Sequence, residues 1–213
     1  MFKFTSSEVR DLIIAFFVIS LCFAIATSGR DMNRILHILP MIMVGVGAGF
    51  ILHELGHKFV SMKYGYWAEF KLWPQGLLFA LITSFFGFVF AAPGAVYTYA
   101  NYMTDEINGK ISIAGPVVNI ILALIFLAIC IAIYPSAFYS QTSVLILNIC
   151  ALGFNINSFL ALFNLLPIGN LDGSKVLRWN VGIWIVTIAL AGIITFVSMT
   201  IGVESIIRLI IGF

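Results

Sequence analysis

Two histidines and a glutamate stand at a spacing that suits metal chemistry. The segment His53-Glu-Leu-Gly-His57 matches the H-E-x-x-H pattern and uses two of the three histidines in the chain. On a helix, His53 and His57 lie about one turn apart on one face, where both imidazoles can bind the same ion. Neutral imidazole suits Zn²⁺, and Glu54 stands beside the pair, placed to take a proton from a metal-activated water. The motif predicts a zinc site; the structural alternative is a pair of interfacial histidines satisfied by water or backbone.

A catalytic zinc usually has three protein ligands and one open position, so a third ligand is needed. The strongest candidate is Asp172, which ends the long uncharged stretch over residues 111–171 and precedes Gly173. An aspartate before glycine is also a common turn residue, but the neighbouring motif favours the ligand role. The other acidic candidates are Glu69, Asp105, Glu106 and Glu204. His37 stands alone near the start of the helix that carries the motif, and we expect it at the membrane interface without a metal role.

The composition places this motif in a membrane protein. Of the 213 residues, 62% are hydrophobic and 9% are charged, and the mean hydropathy is +1.09. Soluble domains are about 45–50% apolar and about 25% charged. A water-soluble globule of this size could not bury so much apolar surface, and the same composition excludes a disordered chain. The net charge of +2 with scattered basic residues gives no nucleic-acid surface. The length fits one domain, residues 1–213, embedded in lipid.

Uncharged stretches predict the membrane-spanning helices, each of which needs about 20 residues. Five helices are expected, near residues 12–29, 35–52, 111–133, 144–166 and 181–203. The turn chemistry of residues 134–143 separates the third helix from the fourth. We expect the first helix to be retained rather than cleaved as a signal peptide. The tail after residue 203 is too short to cross and should extend the last helix or lie at the interface.

The uncharged stretch over residues 72–104 is interrupted by prolines and glycines. It could cross once near residues 77–92, or form strands or a re-entrant hairpin that returns to the same side. The segments 70–73 and 96–99 have the aromatic and β-branched composition of strands. A full crossing would put Asp172 on the face opposite the histidines, so a shared metal favours the non-crossing form. The predicted fold is an all-α polytopic membrane protein with about five transmembrane helices plus a small β-sheet or re-entrant hairpin between the second and third.

The distribution of basic residues predicts the orientation. If residues 72–104 do not cross, the side that holds the N-terminus and the metal site carries Lys3, Arg10, Lys58, Lys63, Lys71, Lys110, Lys175 and Arg178. The other side carries Arg30, Arg34 and Arg208. This excess predicts a multi-pass protein of the cell membrane with its N-terminus and active-site side in the cytoplasm.

Three motifs follow one another along the chain. The first is the H-E-x-x-H segment, and the second is Ala114-Gly115-Pro116-Val-Val-Asn119 at the start of the third span. The third is Asn164-x-x-Pro167-x-x-x-x-Asp172-Gly173 after the fourth span. In this order they resemble the site-2 protease family of intramembrane zinc metalloproteases, peptidase family M50. The combination is specific, whereas H-E-x-x-H alone would be weak.

The resemblance implies a zinc metalloendopeptidase that cleaves peptide bonds in or near transmembrane segments of membrane proteins. It implies one Zn²⁺ bound by His53, His57 and Asp172. Glu54 is then the general base, and Asn164 lies near the metal, where it helps to hold substrate or oxyanion. The expected partner is a single-span transmembrane protein in the lipid bilayer, held in extended form by an exposed strand near residues 70–73 or 96–99.

Several features lie outside this core expectation. Gly115 and Pro116 look structural, allowing close helix approach, while Asn119 either hydrogen-bonds across helices or only packs. The chain has no room for the PDZ or CBS domains of larger relatives, and residues 72–104 could shield or gate the site.

Two rival functions fit the same sequence. One is a divalent-metal transporter, because intramembrane histidines and acids also mark ion paths. The other is a catalytically silent membrane scaffold. Transporters more often show internal symmetry and paired discontinuous helices, which are not visible here. A scaffold has no need of the intact Glu54.

Overall fold

The computed structural model describes residues 3–212, and most of them are helical. The elements, in chain order, are α1 (Ser6–Ser28), α2 (Met32–Val46), a π-helical turn (Gly47–Ile51), α3 (Leu52–Lys63), β1 (Trp67–Leu72), α4 (Pro74–Ser84), β2 (Gly94–Tyr99), α5 (Asp105–Ala137), α6 (Gln141–Leu165), α7 (Asp172–Trp179), α8 (Val181–Thr200) and α9 (Val203–Ile211).

Five helical stretches among residues 3–212 are long and apolar enough to cross a membrane. They are α1, the continuous run from α2 through the π-helical turn to α3, then α5, α6 and α8. The predicted number and order of spans are confirmed. Several run past their uncharged cores, since helices can continue into the polar boundary. In particular, α5 continues through Tyr134 and Pro135, so the turn before α6 is confined to residues 138–140.

Polar caps fix where all five of these spans begin. In each case a side-chain oxygen before the helix accepts a hydrogen bond from a backbone N–H in the first turn, which satisfies a free donor there. The capping residues are Thr5, Asp31, Thr104, Ser140 and Asn180.

The segment between the second and third spans is a re-entrant hairpin closed by a small sheet. The strands β1 and β2 pair in antiparallel fashion, with Phe70 opposite Val96. Between them, α4 has 11 residues, which is too short to cross. The tip at residues 84–87 lies beside Ile25 and Arg30 at the far end of α1. Because both strands belong to one sheet, the segment returns to the side from which it left, and the expected non-crossing form is confirmed.

The tail forms a helix of its own. Gly202 adopts a positive φ of 80°, a conformation that glycine enters without steric cost, and the chain turns there between α8 and α9. Ile206 and Ile207 of α9 are buried in a cluster with Phe126 and Cys130 of α5. The tail therefore packs back on the bundle and does not extend α8.

Candidate metal centre

Three side chains from two distant parts of the chain converge on one point. His53 Nε2 and His57 Nε2 are 3.0 Å apart, and Asp172 Oδ2 lies 3.4 Å from the first and 3.1 Å from the second. Bonds of 2.0–2.2 Å at tetrahedral angles put zinc ligand atoms about 3.3 Å apart. The three atoms thus have the spacing of three corners of a tetrahedron around one ion. All three residues are buried.

The imidazoles are already oriented for a metal. His53 Nδ1 lies 2.5 Å from the side-chain oxygen of Asn119, and His57 Nδ1 lies 2.8 Å from the backbone carbonyl oxygen of Ile111. Both partners accept hydrogen bonds, so each Nδ1 carries the proton and each Nε2 lone pair faces the centre. This outer hydrogen bond fixes tautomer and ring angle in most metal-binding histidines.

Asn119, which accepts the hydrogen bond from His53, is itself held by further hydrogen bonds within the helix bundle. Its side-chain amide donates to Gly49 O at 3.1 Å and to the side-chain oxygen of Asn157 at 3.0 Å. The amide of Asn157 donates to Gly153 O at 2.8 Å and to Gly45 O at 3.4 Å. Of the two alternatives for Asn119, hydrogen bonding across helices is correct. Asn119 connects α5 to the π-helical turn directly before the histidines, a feature often found at functional sites. Asn157 connects α6 to Asn119 and to Gly45 of α2.

Gly115 leaves the space that an ion needs. A Cβ at this position would lie 2.4 Å from His57 Nε2 and 2.6 Å from His53 Nε2. The glycine of α5 therefore keeps the helix backbone close to the imidazole pair while leaving its metal-facing side open. An open cradle at the two nitrogen lone pairs fits a bound ion.

Glu54 is buried beside the centre with one oxygen that has no partner. Its Oε2 makes no hydrogen bond within the structure, although the carboxylate interacts with the backbone N–H of Val96. A buried polar atom without a partner is rare in folded proteins and costs about 1–3 kcal/mol. An acceptor kept free at this place fits a role as a base.

Asp172 is the first residue of α7 and is oriented by packing and charge. Gly173 lets α7 reach the end of α6, because a Cβ there would overlap Leu165 O at 1.9 Å. Burial by itself raises the pKa of the Asp172 carboxyl, but His57, His53 and Lys175 outweigh burial and hold the pKa well below its ordinary range. Lys175 Nζ lies 3.6 Å from Oδ1, the oxygen that does not face the histidines. The acid is therefore ionised, as a metal ligand must be.

The centre opens into a cavity of about 880 Å³. Its polar lining includes Asn164 and Lys175, and its apolar lining includes Phe50 and Phe163. Asn164 shares the cavity but makes no hydrogen bond to the three ligands; its side-chain amide donates to Leu160 O at 2.9 Å.

The other acidic candidates do not reach the centre. Glu69 accepts a hydrogen bond from the Tyr99 hydroxyl on the sheet. Asp105 and Glu106 are exposed in the first turn of α5, and Glu204 pairs with Arg208 in α9. His37 is exposed on α2 and is outside the ligand group.

The two edges of the small sheet differ. The backbone N–H of Phe70 donates to Glu8 Oε1 at 3.1 Å, and that of Leu72 donates to Asp11 Oδ2 at 3.3 Å. In an antiparallel pair, residues whose N–H groups point outward face partners whose N–H groups also point outward. From the register, the backbone groups of β2 at positions 94, 96 and 98 are directed away from β1. Residues 93–98 line the cavity, so the free edge of β2 borders the metal centre while α1 covers that of β1.

The sequence analysis does not identify two candidate functional features. One is the fully buried ion pair of 2.5 Å between Glu8 and Lys58, whereas the charge pattern places Lys58 among the loop cations. The other is Asn157. The sequence signal for the ion pair is the acid Glu8 in the first turn of a span, and the signal for Asn157 is an asparagine within an apolar run.

The fold and the site together define a multi-pass membrane protein with a centre of two histidines and one aspartate. One relative, "Putative zinc metalloprotease MJ0611" of Methanocaldococcus jannaschii, is 42% identical over 185 residues, which cover 86% of this chain and 90% of that protein. "Putative zinc metalloprotease YwhC" of Bacillus subtilis is 30% identical over 156 residues, 67% of this chain and 70% of the relative. The chain belongs to the family of these proteins.

A more distant relative is larger. "Putative zinc metalloprotease Rip2" of Mycolicibacterium smegmatis is 30% identical over 154 residues, and the match covers 65% of this chain but only 56% of Rip2. No family model and no solved structure matches the chain at a significant level.

Proposed function

We propose that this protein is an intramembrane zinc metalloprotease of the site-2 type, which hydrolyses peptide bonds in or near transmembrane segments. The observation that carries the proposal is the ligand group His53, His57 and Asp172 beside a buried Glu54 with a free oxygen. The names of the relatives support zinc as the ion and proteolysis as the reaction. The centre also lies at the end of a membrane-spanning helix.

The residues of the chain divide the chemistry among them. Zinc, when bound, supplies Lewis acidity that polarises a carbonyl and makes water nucleophilic near neutral pH. Glu54 takes one proton from the attacking water as the water oxygen bonds to the carbonyl carbon. Glu54 then delivers that proton to the leaving amine nitrogen as the C–N bond breaks. Asn164, in the same cavity, is proposed to hold the substrate or its oxyanion once its amide turns from Leu160 O.

The free edge of β2 is proposed to receive the substrate. A transmembrane helix hides its carbonyl groups in internal hydrogen bonds, so the helix must unwind before attack. An unwound segment can pair with the outward backbone groups of residues 94 and 98, and with that of Val96 once its N–H leaves the Glu54 carboxylate, as in other cases of strand addition. The expected alternative at residues 70–73 is not available, because Glu8 and Asp11 occupy that edge.

The site is proposed to open toward the cytoplasm. The end of the bundle that carries the sheet, α7 and the metal centre also carries most of the basic residues, and cytoplasmic ends of membrane proteins are richer in lysine and arginine. The partner is then a single-span membrane protein whose helix unwinds near its cytoplasmic end.

Glu54→Gln tests the proposal. The variant keeps the size of the side chain but removes the base, so we expect zinc content to stay at one ion per chain while cleavage of a single-span reporter in proteoliposomes falls at least about 1,000-fold. The matched control is Glu106→Gln, which makes the same change on the exposed first turn of α5 and should cleave normally. Undiminished cleavage by Glu54→Gln would contradict the proposed mechanism.

The same preparation separates the protease from its rivals. A divalent-metal transporter would carry zinc into liposomes without cleaving any reporter, and a silent scaffold would do neither. Cleavage that is lost with a chelator and restored by zinc supports the protease alone.

A further inference from the structure

A buried glutamate in the first span contacts both the helix of the metal motif and the sheet. Glu8 is 1% exposed. Its Oε2 accepts a hydrogen bond from Lys58 Nζ at 2.5 Å, and its Oε1 accepts one from the backbone N–H of Phe70 at 3.1 Å. One carboxylate thus connects α1, α3 and β1.

Lys58 places one end of this connection next to the metal ligands. It follows His57 directly and is fully buried, with its ammonium group 4.2 Å from the centre of the Phe4 ring. Because desolvation is costly, a buried ion pair stabilises a fold no better than a well-packed apolar pair does. Holding α1 against α3 therefore does not require these two charges.

The other end reaches the free edge of β2. Phe70 lies directly opposite Val96, and the backbone N–H of Val96 interacts with the Glu54 carboxylate. Glu8 thus links Lys58 of α3 to β1, and β1 pairs with β2, whose Val96 N–H interacts with Glu54.

A second link joins α3 to β2 directly, through the 2.8 Å hydrogen bond between Ser61 Oγ and Thr98 Oγ1. Glu8 therefore acts together with this hydrogen bond in holding the sheet at its distance from the metal motif. An apolar residue at position 8 could pack equally well but could not accept the N–H of Phe70.

We propose that Glu8 is a positioning residue that sets the distance from the β2 edge to Glu54 and the proposed metal ligands. Glu8 touches neither the cavity nor the ligands and acts through the sheet. This inference rests on the proposed function, because the β2 edge matters only if it receives an extended substrate.

Two double variants isolate the acceptor at position 8 from the ion pair. Both carry Lys58→Met, so neither leaves a buried unpaired ammonium group. Glu8→Gln/Lys58→Met keeps a side-chain oxygen for the Phe70 N–H, whereas Glu8→Leu/Lys58→Met removes it at similar volume. We expect the leucine variant to raise KM for the membrane reporter about tenfold over the glutamine variant, since an unpaired buried N–H displaces the sheet. Zinc affinity should be the same in both variants.

Amide hydrogen exchange provides a measurement that does not depend on activity. The N–H groups of residues 70–72 should exchange at least about tenfold faster in the leucine variant than in the glutamine variant. Equal KM and equal exchange in the two variants would overturn the positioning role. If the leucine variant does not fold, Glu8→Met/Lys58→Met makes the same comparison at position 8, and no gain in exchange at residues 70–72 over the glutamine variant would overturn the role.

These outcomes distinguish the two proposals. If the zinc-loaded wild type cleaves no reporter while amide exchange still differs between the two double variants, the proposed function fails. Glu8 then anchors the sheet without affecting substrate binding, and the inference is overturned as well. If the wild type cleaves and the double variants behave alike, only the inference fails.

Discussion

Each of the three side chains proposed as metal ligands uses one polar atom outside the candidate centre. His53 and His57 donate from Nδ1 to Asn119 and to Ile111 O, and Asp172 has Lys175 near Oδ1. The remaining atoms therefore face the centre before any ion arrives, which lowers the entropy that binding must remove. Such outer contacts typically change metal affinity about 10–100-fold.

Gly115→Ala should prevent metal binding without changing a ligand. The added methyl group would lie within 2.6 Å of both Nε2 atoms, so the imidazoles must move and we expect zinc affinity to fall at least about 100-fold. Competition with a zinc chelator measures the affinity. The control is Gly192→Ala in α8, where the nearest atom to a new Cβ is 3.8 Å away; equal affinity in both variants would contradict the proposed position of the ion.

Lys175→Met should weaken zinc binding about tenfold, because Oδ1 of Asp172 loses its cationic partner and the carboxylate can rotate. Lys175→Arg keeps the charge and should bind within about threefold of the wild type. Isothermal titration of the metal-free protein with zinc gives both values. If methionine and arginine bind zinc equally well, Lys175 does not orient the ligand.

Among the secondary-structure elements, the small sheet has the most asymmetric role. The outer edge of β1 is satisfied by carboxylates of α1, whereas the outer edge of β2 borders the cavity. Unpaired strand edges readily accept another strand, so under the proposed function an extended substrate has the β2 edge, and not the β1 edge, to pair with. The hairpin formed by α4 packs beside it, with Phe90 in edge-to-face contact with Phe163.

Val96→Pro should block strand addition at this edge. Proline removes a backbone N–H that points away from β1, so the β1–β2 pairing loses no hydrogen bond at that position. The same N–H interacts with the Glu54 carboxylate, so kcat is measured beside KM, and substrate pairing is read from KM. We expect KM for the membrane reporter to rise at least about tenfold, while zinc content stays at one ion per chain. Asn101→Pro, in the exposed bend after β2, is the control. A normal KM for Val96→Pro would show that substrate does not pair with β2.

Across the whole bundle, the candidate metal centre connects parts that are far apart in sequence. The histidines belong to the second span, Asp172 follows the fourth, and the supporting carbonyl of Ile111 belongs to the third. An ion bound there restrains three spans at once. Because the ion binds the folded state, its free energy of binding adds to the free energy of unfolding.

Removing zinc should therefore lower thermal stability. A free zinc concentration of about 1,000 times Kd stabilises the folded state by about 4 kcal/mol, so a chelator should lower Tm by several degrees. Differential scanning fluorimetry in detergent measures the shift, and re-addition of zinc should reverse it. The double variant His53→Ala/His57→Ala should show no response to the chelator; a similar response would place the stabilising ion elsewhere.

Local patterns were sufficient for the spans and for most of the centre. Runs of apolar residues dictate helices in lipid, because backbone groups must be satisfied within each segment, and the four-residue spacing places His53 and His57 on one helical face. The sequence favours Asp172 as the third ligand because this acid ends a long uncharged stretch in a chain that carries H-E-x-x-H, and the structure places its carboxylate beside the two imidazoles. The covered edge of β1, the support of Asn119 and Asn157, and the burial of Lys58 could not be predicted, since each depends on contacts between residues more than 35 positions apart. Such contacts arise only when the helices pack, because no local pattern specifies which polar group will meet which partner.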